Sequence, residues 1–234
     1  HQLIFSTSDI PAVQVKTDRD AKNKHLISKI RVLEDITKKP ISSLTKISPR
    51  KHMPVDISTL VVAKNVAKKH VRTFHLTHNL IHSGGDVDKA NKKGTTPLSF
   101  AAQEGNMEAM KYSIEHGAKV NYQSTKSKNT ALHRAANKGQ TEAVELLLKH
   151  EAEINLLNKH NNSALHLASA KGYVEIVKLL IQYGPDVTQT DRRNNATAAH
   201  IAAHEGHARV LKVLFKQNKD LVTMCDMHGA TPII

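Results

Sequence analysis

The chain has 234 residues, with 34 Lys and Arg against 21 Asp and Glu, a formal net charge of +13. Hydrophobic residues make up 39% but aromatics only 3%, Trp is absent, and the single Cys is Cys225. A core this poor in rings is built from Leu, Ile, Val and Ala, which favours stacked helices over a β-sandwich; one Cys excludes an internal disulfide framework and a Cys-based zinc site; and no apolar run approaches the ~18 residues of a membrane helix.

His1 to Asp9 lack a basic start followed by an apolar stretch, so no signal peptide is read and a reducing cytoplasm, or the nucleus, is the expected compartment. The positive charge is concentrated early: residues 1–95 hold 18 basic and 8 acidic side chains, residues 96–234 hold 16 and 13. Such a surface is either simply solvated or attracts an acidic protein, an anionic membrane or nucleic acid. Residues 1–56 read as a basic extension. Within it, 20–37 is expected to be an amphipathic helix, capped by Asp20, with Leu26, Ile27, Ile30 and Leu33 on one face. That face packs on the neighbouring segment or binds a partner or membrane surface. Residues 38–55, with Pro40, Pro49 and Pro54, read as a loop. A helix capped by Asp56 or Ser58 follows, holding Leu60, Val61, Val66 and Ala67, and then a second helix over 70–82 with Val71, Phe74, Leu80 and Ile81.

From residue 96 a repeat governs the chain. Thr96-Pro97-Leu98-Ser99-Phe100-Ala101-Ala102 recurs as Thr130-Ala131-Leu132-His133-Arg134-Ala135-Ala136, as Ser163-Ala164-Leu165-His166-Leu167-Ala168-Ser169 and as Thr197-Ala198-Ala199-His200-Ile201-Ala202-Ala203, and Thr231-Pro232-Ile233 opens another. The openings are 34, 33, 34 and 34 residues apart, and Gly105, Gly139, Gly172 and Gly206 each follow nine residues after one. Thr or Ser caps a helix whose first turn tolerates Pro or Ala. The Ala pair lets backbones approach, and Gly ends the helix in a left-handed turn. A second helix carries the apolar clusters, such as Val144, Leu146, Leu147 and Leu148. Gly117-Ala118-Lys119-Val120-Asn121 and its counterparts then lead into an extended hairpin. One such unit cannot bury its apolar face alone, so neighbours must stack.

The period and the Thr-Pro-Leu-His-x-Ala signature resemble the ankyrin repeat. The resemblance implies an all-α solenoid of stacked helix–turn–helix units with projecting β-hairpin loops. Its repeats would be 96–129, 130–162, 163–196 and 197–230. Residues 57–95 would be a degenerate or capping repeat, and 231–234 the start of a further one, so that the chain reads as a fragment. Ser99 and Ile234 depart from the signature His, Glu151 and Asn218 stand where Gly follows the second helix, and the fourth repeat has one extra residue near Asp220-Leu221-Val222. The resemblance also implies that His133, His166 and His200 are buried hydrogen-bonding residues.

No catalytic constellation, cofactor site or site for a small-molecule substrate is read; the glycines form no phosphate cradle and no nucleophile elbow. His75, His78 and His82, and separately His200, His204 and His207, are spaced suggestively for a metal, but no Cys or acidic ligand accompanies the first group and the second lacks the zincin spacing. Cys225 reads as a lone thiol at a hairpin entry. The expected function is a non-enzymatic protein–protein interaction scaffold. The resemblance implies contact positions at Gln103 and Glu104, Asn137 and Lys138, Ala170 and Lys171, and His204 and Glu205 before each Gly, together with the hairpin tips. The tips hold Lys92, Lys93, Lys126, Lys128, Lys159, Arg192 and Arg193, opposed only by Asp191 and Asp226, so stacking would align them into a positive ridge for an acidic partner. The alternatives are the cytosolic portion of a larger channel, toxin or enzyme, and nucleic-acid or anionic-membrane binding through residues 1–95. Asn155, in Leu147…Glu153-Ile154-Asn155, resembles a site for asparaginyl hydroxylation as well as a residue that holds the hairpin start.

Overall fold

The computed structural model describes residues 84–233 together with His70, Thr73, Thr77, His78, Asn79 and Ile81. The chain divides into two units, His1–Arg72 and Thr73–Ile234. The expectations for the extension 1–56, its helix at 20–37, the loop 38–55 and the helix that follows it lie outside the described residues, as does Ile234. Within the expected 70–82 helix, every described position is helical.

From Thr96 the cap residues do what their chemistry predicts. The Thr96 side chain accepts the Ser99 N–H at the start of α1 (Pro97–Glu104). Thr130 and Thr197 form reciprocal caps with the third residue of α3 (Ala131–Lys138) and α7 (Ala198–His204), and Ser163 opens α5 (Ala164–Ala170). Each first helix is followed by an antiparallel partner: α2 (Met107–Glu115), α4 (Thr141–Lys149), α6 (Val174–Gln182) and α8 (Ala208–Gln217). First helices stack on first helices and second on second, with the first-helix row in the more extensive contact. Ala101, Ala102, Ala135, Ala136, Ala168 and Ala202 explain this: they are wholly buried and bring backbones close. Leu98, Leu132 and Leu165, at one motif position, are equally buried and contribute about 2 kcal/mol each relative to exposure.

Gly139 serves two constraints at once. Its φ is +74°, and a Cβ there would lie 2.9 Å from the Tyr173 ring of the next repeat. At the end of the second helix the left-handed position is Gly117, Glu151 and Gly184, so Glu151 adopts φ +60° without glycine's freedom. Asn218 does not: it is extended, at φ −143°, and the fourth repeat's extra residue is taken up in a 3₁₀ turn, Lys219–Val222, that buries Leu221.

The expected hairpins are turns without strands among the described residues; one isolated bridge, Thr190 to Thr197, is all the ladder there is. Each tip is instead closed by a backbone bond, such as Asn158 N–H to Asn162 C=O at 3.0 Å. In most tips an Asn or Asp oxygen at the start accepts two further N–H groups: Asn91 from Lys93 and Thr95, Asn158 from His160 and Asn162, Asp226 from His228 and Ala230; the tip opened by Ser124 instead pairs its hydroxyl with that of Ser127. The residue two before each cap is left-handed throughout: Gly94, Lys128, Asn161, Asn195 and Gly229. Short polar turns that satisfy their own backbone need no ladder.

Two substitutions test this packing. Ser169 is fully buried where Ala102 and Ala136 stand in earlier repeats, and its Oγ has no hydrogen-bond partner. Ser169→Ala is expected to raise the unfolding free energy in urea by about 1 kcal/mol. Glu151→Gly, relieving the left-handed backbone, is expected to stabilise by up to about 1 kcal/mol; destabilisation by either would show that the hydroxyl or the carboxylate has a partner that matters.

Candidate interaction surface

The three signature histidines tie each helix pair to the chain that follows it in the same repeat. Thr130 donates its backbone N–H to His133 Nδ1 at 3.3 Å, with its hydroxyl 2.8 Å from the same nitrogen, so Nδ1 is the acceptor and the Nε2–H donates to Asn162 C=O at 2.9 Å. His166 does the same between Ser163 and Gln189 C=O. His200 joins Thr197 to the Met224 and Ala230 carbonyls. Burial pushes His133 down to about 4 and lowers His166 as well. Ser99 cannot make this link; its hydroxyl turns back to Thr96 C=O.

The tips are joined sideways. Lys159 N–H donates to Ser127 C=O, Arg192 N–H to His160 C=O, and Met227 N–H to Asn194 C=O, at 3.0, 3.0 and 2.8 Å. Asn158 Nδ2 reaches Asn129 Oδ1 at 3.0 Å, and Gly94 lies against Thr125 closely enough that a Cβ would collide. Lys92, Lys93, Lys126, Lys128, Lys159, Arg192 and Arg193 are all exposed on this row of tips. The ion pairs among the described residues are Lys149–Glu145, Lys178–Glu175 and His204–Glu205, so none of the seven is neutralised there. Asp191 turns an oxygen inward to the N–H groups of Asn194 and Ala196. Asp226 does so too, and its N–H bonds from Ala230 and His228 hold its carboxyl below the usual value.

Two adjoining clefts lie between the tips and the first helices. One, about 390 Å³, is lined by residues including Lys92, Lys93, Thr95, Phe100, Gln103 and Arg134. The other, about 260 Å³, shares Gln103 and Arg134 and adds Asn137, Lys138, His160 and Leu167 among others. No Asp or Glu lines either. Arg134 was not singled out by the sequence reading. It donates through Nη1 to Gln103 Oε1 and through Nη2 to Thr95 Oγ1, both at 2.8 Å, and its Nε is buried without a partner. The signal was nevertheless present: Phe100, Leu167 and Ile201 fill the same motif position.

Of the positions expected before each Gly, Gln103, Asn137 and Lys138 thus meet Lys92 and Lys93 at the clefts. Glu104 accepts from Gln103 Nε2 at 3.0 Å. Lys171, His204 and Glu205 line neither cleft; the first is exposed and the other two pair with each other. Asn155 is exposed, but its Oδ1 accepts the Asp186 N–H at 2.8 Å and its C=O accepts from Gln189 Nε2, so it clamps two turns together. Asn121 makes the equivalent clamp to Glu153 and Glu151.

The described histidines of the two groups each have separate partners. His75 and His82 lie outside the described residues, and the His78 ring stacks on Tyr112 at 5.3 Å. His200 is committed to its carbonyls, His204 to Glu205, and His207 packs on Gly172 and bonds Ala170 C=O at 3.3 Å. Among the described residues no group of three or more His, Cys, Asp or Glu is placed to hold a metal, and no helix is long and apolar enough to cross a membrane.

The family model described as ankyrin repeats (3 copies) matches residues 65–158, 118–191 and 165–234, most of the chain. The chain belongs to the ankyrin-repeat family. Ankyrin repeats are in general non-enzymatic modules that bind other proteins. Among curated proteins the chain is similar to potassium channel AKT1 of Oryza sativa subsp. indica and to that of subsp. japonica, each 42% identical over 48 residues. That match covers 20% of this chain and 5% of each channel.

The histidine joints give the repeat stack a pH dependence with a definite sign. His133 is held neutral when folded, so between pH 6.5 and about 4 the unfolded chain binds a proton that the folded chain refuses. Stability is full above pH 6.5 and falls as pH falls, by on the order of 3 kcal/mol from His133 alone once pH 4 is reached. Urea midpoints measured from pH 7.5 to 5, above most carboxylate titration, should fall with decreasing pH in the native chain and fall less in His133→Gln.

Proposed function

We propose that this chain is a non-enzymatic scaffold that binds an acidic protein through its row of tips and the adjoining first-helix face, in the cytoplasm. The observation that carries this reading is the alignment of seven exposed basic side chains on tips bonded side by side, with no ion pair among the described residues to neutralise them. Residues 96–234 are nearly balanced in charge, so the bias is local to the tips. Like charges held in a row raise the local potential, and an acidic partner is steered to it with strong salt dependence. The single exposed free thiol, Cys225, suits a reducing compartment. The likeness to potassium channel AKT1 supports a second, compatible reading, in which this stack is the ankyrin portion of a larger channel polypeptide.

Peptides selected by display against the intact chain should be enriched in Asp and Glu. Reversing Lys126, Lys128, Arg192 and Arg193 to Glu should slow their association at least tenfold at low salt and much less at high salt. The melting temperature should hardly move, since these side chains are exposed. Selection of neutral peptides whose association ignores the reversal would reject the tips as the docking surface.

A further inference from the structure

At one motif position four repeats carry Phe100, Arg134, Leu167 and Ile201, so a single guanidinium interrupts an otherwise apolar column. Among the described residues its charge has no counterion: it joins none of their ion pairs, and neither cleft it lines contains a carboxylate. Its position is set from behind by neutral acceptors, Gln103 Oε1 and Thr95 Oγ1. Those two bonds use two of the five N–H donors that a guanidinium has. Phe100 walls one cleft and Leu167 the other, while Lys92, Lys93 and Lys138 stand around the openings.

A cation held half-buried in a cleft is less hydrated than an exposed lysine, and an oxyanion that enters gains more there. The side-chain amide of Asn137, in the wall of one cleft, is suited to the N–H and C=O groups of an extended backbone. We infer that Arg134 is the anchor of a carboxylate subsite on the first-helix face, which takes an Asp or Glu in an extended segment of a partner protein. This rests on the scaffold reading but assigns its specificity to one half-buried position rather than to the exposed tips. With Nε buried, the one N–H left on each Nη matches the two oxygens of a carboxylate, whereas a phosphate presents a third oxygen that this fork leaves unmatched.

The structure also gives Arg134 a mechanical part, since it ties its own repeat to Gln103 and Thr95 before it. The test therefore uses a readout that mechanical loosening would not move. Three synthetic peptides with one central residue between leucines, that residue being Glu, Gln or phosphoserine, are titrated against the native chain, Arg134→Leu and Arg134→Lys by fluorescence anisotropy. The native chain should prefer Glu over Gln by about tenfold, and Arg134→Leu should reduce that preference to about twofold or less. Arg134→Lys should retain part of it, because the charge remains while the planar fork is lost. Structural loosening alone would weaken the Glu and Gln peptides equally. The inference is overturned if the Glu-to-Gln preference survives Arg134→Leu, if the native chain binds neither peptide, or if phosphoserine is preferred to Glu. In each of these cases, a persisting effect of tip reversal on display-selected peptides would leave the scaffold reading in place, and loss of that effect as well would remove both.

Discussion

A neutral imidazole, accepting from the cap of its own helix and donating to a carbonyl of the next tip, is the joint from which this stack is assembled. Its two nitrogens have opposite tasks, so the joint works in one tautomer and one charge state. Protonating Nδ1 would set a donor against the Thr130 N–H and hydroxyl, which is why burial and function of the joint point the same way. The leucine and alanine contacts supply most of the favourable free energy, but they are non-directional. The histidine bonds supply the direction: they set where each tip lies relative to the helix pair before it.

The repeat opened by Thr96 lacks this joint. Ser99 satisfies itself locally, and this repeat is held to its neighbour by Arg134 to Gln103 and by Gln140 packing on Gly105, while Arg134 also reaches Thr95. The residues that depart from the repeat pattern thus place a guanidinium without a carboxylate partner in a polar cleft.

The tips show how a charged ridge is held without a sheet. An Asn or Asp oxygen satisfies the N–H groups of its own turn, one left-handed residue closes it, and one backbone bond fastens it to the next. The lysine and arginine side chains take no part in that framework, although the backbone N–H groups of Lys93, Lys159 and Arg192 do. Lys128 stands left-handed at φ +54° where Gly94 and Gly229 stand elsewhere. Because the side chains are free of the framework, their charge can change over evolution or by mutation with little effect on folding.

Much was legible in sequence because the repeat restates itself: cap, signature His, helix-ending Gly and apolar second helix recur in register, and each acts over one or two helical turns. The recurrent Asn or Asp at 91, 158, 191 and 226 and the Gly or Asn at 94, 161, 195 and 229 carried the tip geometry as well, but a turn that needs no strands does not show as strand periodicity, and hairpins were expected instead. What tertiary structure alone decided are the contacts between repeats. Arg134 finds its partners 31 and 39 residues away, Asn155 clamps a turn 31 residues on, and Gln103, expected at a binding face, proves to be tied inward. Residues one period apart in sequence come within hydrogen-bonding distance only when the stack forms, so their pairing is a property of the packed repeats and not of any segment read by itself.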